Sequence, residues 1–252
     1  MATGDMHGKV IIVTGASRGI GRAIAIGLAR AGAAVVATAR TVDGDPAAGT
    51  LADTAARIQA LGGEVLALRH DVGSEADAQG VARATLDRFG RVDALVNNAG
   101  VMLGARPSHD YEPERFDRLV AVHFRGVFLC CRAVLPAMLR QRAGIIVNMS
   151  SGVAREVRVP GDTIYAACKA AAERYTMGLA AELAGQGIAA VAVTPGAVAT
   201  EGTRAAIPGG LAPAGWQAPE AVLPAIQWLL GGGAMSVSGR VLHTPDFGLS
   251  WP

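Results

Sequence analysis

Tyr165 and Lys169 are the residues whose types and spacing most directly suggest chemistry. They lie four positions apart at the start of a predicted helix, and this spacing places both on one helix face. A tyrosine hydroxyl titrates near pH ~10, so it exchanges protons poorly at neutral pH unless a nearby cation stabilises its phenolate. Lys169 is placed to be that cation. An ordinary amphipathic helix can show the same spacing, so the pair needs a supporting fold and a cofactor site.

The elements that would position this pair alternate between short apolar strands and helices. Strands are predicted at Val10 to Val13, Ala33 to Ala39, Val65 to Leu68, Val92 to Val96, Ile145 to Met149, Ile188 to Val193 and Arg240 to His243. A long helix is predicted from Glu112 to Arg142. The alternation predicts an α/β fold, a doubly wound seven-stranded parallel sheet with helices on both faces. Residues 1–252 should form a single domain, because no repeat or long linker divides them.

Composition narrows the classes of protein to which this chain can belong. The net charge of +2 is too small to indicate a nucleic-acid partner. No apolar stretch reaches ~18 residues without Gly, Pro or charge, and no signal peptide is recognisable, so we expect no membrane span and a cytoplasmic protein. The three cysteines, Cys130, Cys131 and Cys168, lack metal-ligand spacing. We therefore predict that they are reduced packing residues and that the chain has no metal site.

A glycine-rich turn follows the first predicted strand. It reads Thr14-Gly15-Ala16-Ser17-Arg18-Gly19-Ile20-Gly21 and leads into an alanine-rich helix. Glycines let a backbone approach a pyrophosphate closely, and a helix N-terminus offers it free N–H groups and a positive dipole end. A tight strand-to-helix turn could look similar, but its place between a buried strand and a helix favours dinucleotide binding. The predicted contacts are Gly15, Ser17, Arg18, Gly19, Ile20 and Gly21.

The end of the second strand indicates which dinucleotide is bound. An NAD site usually has an acidic residue there for the ribose 2′-OH, whereas an Arg accommodates a 2′-phosphate. This chain has Arg40 at that position and no carboxylate before Asp43. Arg18 adds a second cation on the same side. Either Arg could be solvated surface, but the two together favour NADP(H) over NAD(H).

The carboxyl ends of later strands carry further candidate residues, since ligands bind at that edge in such folds. These are Asp71 and Val72 after the third strand, Asn98, Ala99 and Gly100 after the fourth, and Ser150 and Ser151 after the fifth. Asp71 could equally cap local N–H groups. The asparagine amides can tie strand ends together, and a serine hydroxyl can bind a substrate oxygen. The segment from Thr200 to Ala218 is a candidate lid.

Together these motifs resemble the short-chain dehydrogenase/reductase family, and within it the 3-oxoacyl-reductase-like members. The resemblance covers the chain from about Lys9 to Leu249 and implies the Rossmann form of the doubly wound fold. It is carried by the family's glycine pattern at 14 to 21, Asn-Asn-Ala-Gly at 97 to 100, and Tyr-x-x-x-Lys at 165 and 169. It implies that Tyr165 is the general acid/base and that Lys169 lowers its pKa and holds the nicotinamide ribose.

The resemblance also implies that Ser151 polarises the substrate oxygen. Ser150 is the rival for this role. Counting from Ser151 leaves 13 residues before Tyr165, one more than the family's usual spacing, so we choose Ser151 and expect a one-residue insertion between the two. Further cofactor contacts are implied at Pro195, Gly196, Val198 and Thr200.

The activity implied is hydride transfer between nicotinamide and a ketone or secondary alcohol, with a small-molecule carbonyl or alcohol as substrate. The assembly implied is a homotetramer. The alternative function is a nucleotide-binding sensor or scaffold that has lost catalysis.

One position departs from the family's pattern. The family has an Asn in an Asn-x-x-Gly motif on the long helix, which is thought to hold a water for proton relay; this chain reads His123-Phe124-Arg125-Gly126. His123 can donate and accept hydrogen bonds, so it is a catalytic candidate, and a nearby Lys169 should lower its pKa. The alternative is that His123 only fills space on a buried helix face.

Overall fold

A computed structural model describes residues 5–45, 48–156, 160–206 and 213–252. The strands are β1 Val10–Thr14, β2 Ala34–Ala39, β3 Val65–Arg69, β4 Ala94–Asn97, β5 Gly144–Met149, β6 Ile188–Thr194 and β7 Val241–His243. They form one sheet in the order β3-β2-β1-β4-β5-β6-β7, and each neighbouring pair is parallel. The predicted seven-stranded parallel sheet is confirmed. The strand order reverses between β1 and β4, where ligands bind in such sheets.

Helices cover both faces of the sheet. They are α1 Gly19–Arg30, α2 Leu51–Ala60, α3 Glu75–Phe89, α4 Pro113–Val120, α5 Gly126–Gln141, α6 Thr163–Glu182, α7 Glu201–Ala206 and α8 Leu223–Leu230. Alternate residues of β1 enter different cores, since strand side chains point to opposite faces. Ile11 packs with α1, α2 and α8, whereas Ile12 packs with α3, α5 and α6.

The long predicted helix is interrupted. Residues 113–141 are helical throughout, but Ala121–Arg125 form a π-helical turn between α4 and α5. This turn is absent from the sequence-based prediction, and it brings His123 to its position; such π turns often occur at functional sites. By length and composition alone, Pro113–Gln141 could span a membrane. Half of its most apolar window is buried inside the protein, and one such helix is weak evidence for a membrane span.

The fourth strand also begins later than predicted. Val92 and Asp93 precede β4 rather than starting it. The buried carboxylate of Asp93 accepts a hydrogen bond from the Val10 N–H at 2.9 Å and pairs with Arg91. Asp93 thus satisfies the backbone N–H at the start of β1. This contact stabilises the edge of the sheet opposite to the candidate site.

Candidate active site

Tyr165 and Lys169 lie in the first turns of α6, on the same face as predicted. Lys169 is buried, and its Nζ donates a hydrogen bond to the carbonyl oxygen of Met149, the last residue of β5, at 2.7 Å. The same Nζ lies 5.8 Å from the centre of the Tyr165 ring. The end of β5 therefore fixes the lysine, and the lysine places an ammonium beside the tyrosine.

The electrostatics of Tyr165 differ from the expectation. Burial raises the pKa of Tyr165, a hydrogen bond with the Ser151 side chain acts in the opposite direction, and the Asp162 carboxylate adds to the rise. Burial outweighs the expected lowering by Lys169, whose ammonium also donates to the Met149 carbonyl oxygen. Tyr165 is accordingly a protonated phenol at neutral pH and is suited to donate a proton.

Lys169 is itself shifted by its surroundings. Burial lowers the pKa of Lys169 to about 8, while Cys168 and Glu173 act to raise it. The side chain therefore remains largely protonated at neutral pH and loses its charge as the pH rises through about 8. Its positive charge is available to stabilise a phenolate that forms during proton transfer.

The two serines after β5 have different surroundings. The Ser150 hydroxyl is buried and donates to Oε1 of Glu173 at 2.7 Å. Ser151 is only half-buried, and hydrogen bonding by its side chain opposes the rise in the Tyr165 pKa. The geometry brings Ser151, and not Ser150, to the tyrosine.

His123 lies directly against Tyr165. The two rings meet edge to face with their centres 4.9 Å apart, and His123 is 2% exposed. Its Nε2 lies 2.9 Å from the Val101 carbonyl oxygen and 3.3 Å from the Val101 backbone nitrogen, whereas its buried Nδ1 has no hydrogen-bond partner among the described residues. Burial lowers the pKa of His123 to about 3, and the Lys169 charge adds to the effect. The shorter contact, to the carbonyl oxygen, favours the neutral tautomer that donates from Nε2, and in that tautomer Nδ1 is an unused acceptor.

The glycine turn after β1 packs against the end of β4. A Cβ on Gly15, whose φ is +69°, would lie 2.8 Å from the Ala99 Cα, and a Cβ on Gly21 would lie 2.2 Å from the Gly15 carbonyl oxygen. Asn98 ties the two strand ends together, since its Nδ2 donates to the carbonyl oxygens of Thr14 and Gly15. The predicted role of the asparagine amide as a tie between strands is confirmed at Asn98.

The start of α1 binds an anion within the protein. The Gly19 N–H donates to Oε2 of Glu201 at 3.0 Å, and Arg22 pairs with the same carboxylate. The first turn of α1 contains no acidic residue. The start of α1 therefore donates hydrogen bonds to a carboxylate, and a cofactor phosphate requires the same donors. The turn fits the predicted pyrophosphate site. The sequence analysis did not name Glu201 as a candidate residue. The feature that could have indicated it is its position directly after Thr200, a predicted cofactor contact.

The two arginines that favour NADP(H) are accessible at the surface. Arg40 directly follows β2, and Arg18 precedes α1; both are exposed. Nη1 of Arg18 donates a 3.4 Å hydrogen bond to the Ala48 carbonyl oxygen. Both guanidinium groups can therefore be reached by a phosphate from solvent.

Two further groups of predicted cofactor residues lie at the same sheet edge. Asp71 follows β3 and accepts from the Gly73 N–H at 3.0 Å, which matches the alternative capping role. The side chain of its neighbour Val72 is buried in the core. Thr200 directly precedes α7, and its hydroxyl oxygen accepts from the Thr203 N–H.

The remaining predicted cofactor residues lie in the glycine turn and in the segments that follow β4 and β6. Ser17 and Ile20 are half-buried in the glycine turn, Gly100 lies beside His123, Pro195 and Gly196 directly follow β6, and Val198 is buried and bridges to Gln217. The middle of the candidate lid, residues 207–212, lies outside the described residues. In the part of the chain that the structure covers, no group of three or more His, Cys, Asp or Glu side chains could hold a metal ion.

Comparison with known proteins identifies the family. Residues 9–208 match the family model described as short chain dehydrogenase. The 2-(R)-hydroxypropyl-CoM dehydrogenase of Xanthobacter autotrophicus is 43% identical over 199 residues, which cover 78% of this chain and 77% of that protein. The 3-oxoacyl-[acyl-carrier-protein] reductase of Synechocystis is 39% identical over 196 residues, covering 77% and 76%.

Solved structures share the whole fold. Levodione reductase superposes with a TM-score of 0.86 at 27% identity, covering 96% of this chain and 100% of that one. A Beutenbergia cavernae protein with bound NADP has a TM-score of 0.81 at 33% identity, covering 95% and 96%. The 3-ketoacyl-(acyl-carrier-protein) reductase of Brucella melitensis, complexed with NADH, has a TM-score of 0.80 at 33% identity, covering 94% and 96%. This chain is a member of the short-chain dehydrogenase/reductase family of oxidoreductases.

Proposed function

We propose that this protein is an NADP(H)-dependent oxidoreductase that transfers a hydride between nicotinamide and a ketone or secondary alcohol. The observation that carries the proposal is that Ser151 and Lys169 both act on Tyr165: hydrogen bonding by the Ser151 side chain opposes the rise in its pKa, and the Lys169 Nζ lies 5.8 Å from its ring centre. A proton donor, a polar group for the substrate oxygen and a cation are the groups that carbonyl reduction requires. The relatives named as dehydrogenases and reductases support the same reaction class.

The cofactor would supply or accept the hydride. The glycine turn would hold its pyrophosphate, Arg18 and Arg40 a 2′-phosphate, and Lys169 with Tyr165 the nicotinamide ribose. Asp71 and Val72 would lie at the adenine end, and Pro195, Gly196, Val198 and Thr200 at the nicotinamide end. Solved relatives carry NADP in one case and NADH in another, so the choice of NADP(H) rests on the two arginines.

The proton chemistry follows from the surroundings of Tyr165. Its Oη donates a proton to the substrate oxygen during reduction, and the Ser151 hydroxyl hydrogen-bonds the same oxygen. The Lys169 ammonium then stabilises the phenolate that remains. Neutral His123 offers Nδ1 as an acceptor beside this group and takes the relay place that the family gives to an asparagine.

The proposed function is tested by NADPH oxidation in the presence of a panel of ketones. Turnover above the cofactor-only rate with at least one ketone supports the enzyme. Tight NADPH binding together with no turnover over the whole panel, in either direction, would instead favour the sensor or scaffold.

Arg40→Asp tests the choice of cofactor. The substitution removes a cation and adds repulsion, so NADPH binding should weaken by roughly 2 kcal/mol, about 30-fold, while NADH binding changes little. Fluorescence titration of each variant with both cofactors measures the two dissociation constants. Arg83→Asp, an exposed site on α3, is the matched control and should leave both unchanged. Equal losses for NADPH and NADH in Arg40→Asp would show that Arg40 does not read the phosphate.

The homotetramer is a further part of the proposal. Large apolar side chains are exposed along the 113–141 helical segment and on α6, namely Phe116, Phe128, Leu139 and Met177. Burying them between copies would remove apolar surface from water. Sedimentation at micromolar protein should therefore give a tetramer, and Phe128→Glu should dissociate it, whereas Leu61→Glu, at an exposed apolar site after α2, should not. A monomeric parent protein contradicts the proposed assembly.

The proposed location is the cytoplasm.

A further inference from the structure

Glu173 is a buried carboxylate that the proposed mechanism does not use. It lies on α6, four residues after Lys169 and eight after Tyr165, and is 6% exposed. The four-residue spacing puts it one turn below Lys169 on the same helix face. Burying a carboxylate costs several kcal/mol unless it is paired and hydrogen-bonded. Its partners therefore explain why it is tolerated there.

Both carboxylate oxygens of Glu173 accept hydrogen bonds from one short segment of the chain. Oε1 accepts from the Ser150 hydroxyl at 2.7 Å, and Oε2 accepts from Nε of Arg155 at 3.1 Å. Ser150 and Arg155 are the two ends of the segment that follows β5, and Ser151 lies between them. Gly152–Ala154 form a single 3-10 turn within it. The segment is thus attached to α6 at both of its ends by the same side chain.

We infer that Glu173 is a positioning residue that clamps the Ser150 to Arg155 segment onto α6 and thereby holds Ser151 against Tyr165. This inference rests on the proposed function for its catalytic consequence. Ser151 stands on the clamped segment and Tyr165 on α6, so the clamp sets their relative position. Small displacements of groups that position a substrate can cost up to ~100-fold in rate, which is why such a clamp matters.

The charge of Glu173 has a second effect, on Lys169. The titratable groups that face the ammonium are Tyr165, Cys168 and Glu173 from α6 and His123 from the π-helical turn. Burial lowers the pKa of Lys169 to about 8, and Glu173 opposes that shift. Without the Glu173 charge the pKa of Lys169 falls further, so the ammonium is lost at a lower pH. As the pH is raised, the rate of such a variant should therefore begin to fall at a lower pH than the rate of the parent protein.

The alternative hypothesis is that Glu173 only stabilises α6. The Glu173→Gln variant distinguishes this role from the clamp. Glutamine keeps the size of the side chain but removes the charge that binds Arg155. We expect kcat to fall roughly 10-fold with KM changed less than about threefold, and the alkaline decline of kcat to move to lower pH. Glu173→Asp, which keeps the charge, should retain the parental alkaline decline. Glu182→Gln, at an exposed site on α6, is the matched control and should behave as the parent.

Arg155→Ala tests the clamp without touching the buried carboxylate. The Arg155 side chain is 54% exposed, so its loss should not prevent folding. In this variant and in Glu173→Gln, the backbone amides of residues 151–156 should exchange with deuterated water faster than in the parent, because the segment is released at one end. A double variant should lose little more activity than Glu173→Gln alone, since both changes break the same pair.

These measurements separate failure of the clamp from failure of the proposed function. Unchanged amide exchange in 151–156 together with parental kcat in Arg155→Ala and Glu173→Gln would overturn the clamp. The clamp is also overturned if Glu173→Gln does not fold and Arg155→Ala shows parental exchange and kcat. Faster exchange in the two variants, in a protein whose parent form turns over no carbonyl, would confirm the clamp and overturn the function.

Discussion

Tyr165→Phe is expected to lower kcat by roughly 1,000-fold or more while NADPH binding changes by no more than a few-fold. A positioned general acid/base contributes about 100- to 10,000-fold, and the substitution deletes the hydroxyl placed for that role between Ser151 and Lys169. The ring itself remains, so its edge-to-face contact with His123 is kept. Steady-state kinetics with the best ketone of the panel gives kcat, and fluorescence titration gives the NADPH dissociation constant.

Tyr175→Phe is the matched control for this prediction. Tyr175 lies on the same helix, ten residues further on, and its ring packs against Phe124 and Phe128. Because its hydroxyl has no part in the proposed proton transfer, this variant should retain parental kcat. A Tyr165→Phe variant with activity within tenfold of the parent would remove Tyr165 from the role of general acid/base.

His123→Leu is expected to lower kcat roughly 100-fold, whereas His123→Asn should retain most of the parental rate. Leucine fills the space but has no acceptor to replace Nδ1, and asparagine restores the hydrogen-bonding group that the family usually has there. The pKa of His123 is lowered to about 3, so the ring stays neutral from pH 5 to 9. No acidic decline of kcat in that range should therefore come from His123, in the parent or in the asparagine variant.

A histidine far from the site provides the control for His123. His7→Leu removes an exposed imidazole near the N-terminus and should leave kcat unchanged. If His123 only fills space, leucine will support parental turnover. An active leucine variant would take His123 out of the proposed relay and leave it as a packing residue.

The fold could be predicted from the sequence because its signals are local. Runs such as Ile188 to Val193 are continuously apolar, as strands buried on both faces must be, and the predicted ends of most strands lie within a residue or two of the observed ones. The predicted start of β4 was wrong because Val92 and Asp93 look like the beginning of a strand. Their role in capping β1 depends on a contact with Val10, which is distant in sequence.

The candidate site was predictable only where one helix or one strand end positions the residues. Tyr165 and Lys169 share a helix face through their four-residue spacing, and the glycine turn and Asn98 meet because parallel strands end at one edge. Spacing favoured Ser151 over Ser150 but left one residue too many before Tyr165. What separates the two serines in the structure is Glu173, which binds Ser150 and is 23 residues away from it.

Electrostatics and helix irregularity were the least predictable features. The spacing of Tyr165 and Lys169 indicated that the lysine would lower the tyrosine pKa, but the ammonium bonds to Met149 and burial raises that pKa instead. A π-helical turn at 121–125 has no recognisable sequence pattern in this chain, yet it carries His123 to Tyr165. The raised tyrosine pKa arises from burial, which depends on segments that are distant in sequence.

The most direct test of the proposed function follows the hydride itself. The enzyme is supplied with NADPH carrying deuterium at the transferable C4 position, together with a ketone that it turns over, and the alcohol is analysed by mass spectrometry and NMR. We predict one deuterium on the carbinol carbon for the parent protein, in a single stereochemical configuration at that carbon, and no labelled alcohol above background for Tyr165→Phe. Alcohol formed without deuterium on that carbon, or equal labelling by the Phe variant, would contradict hydride transfer at this site.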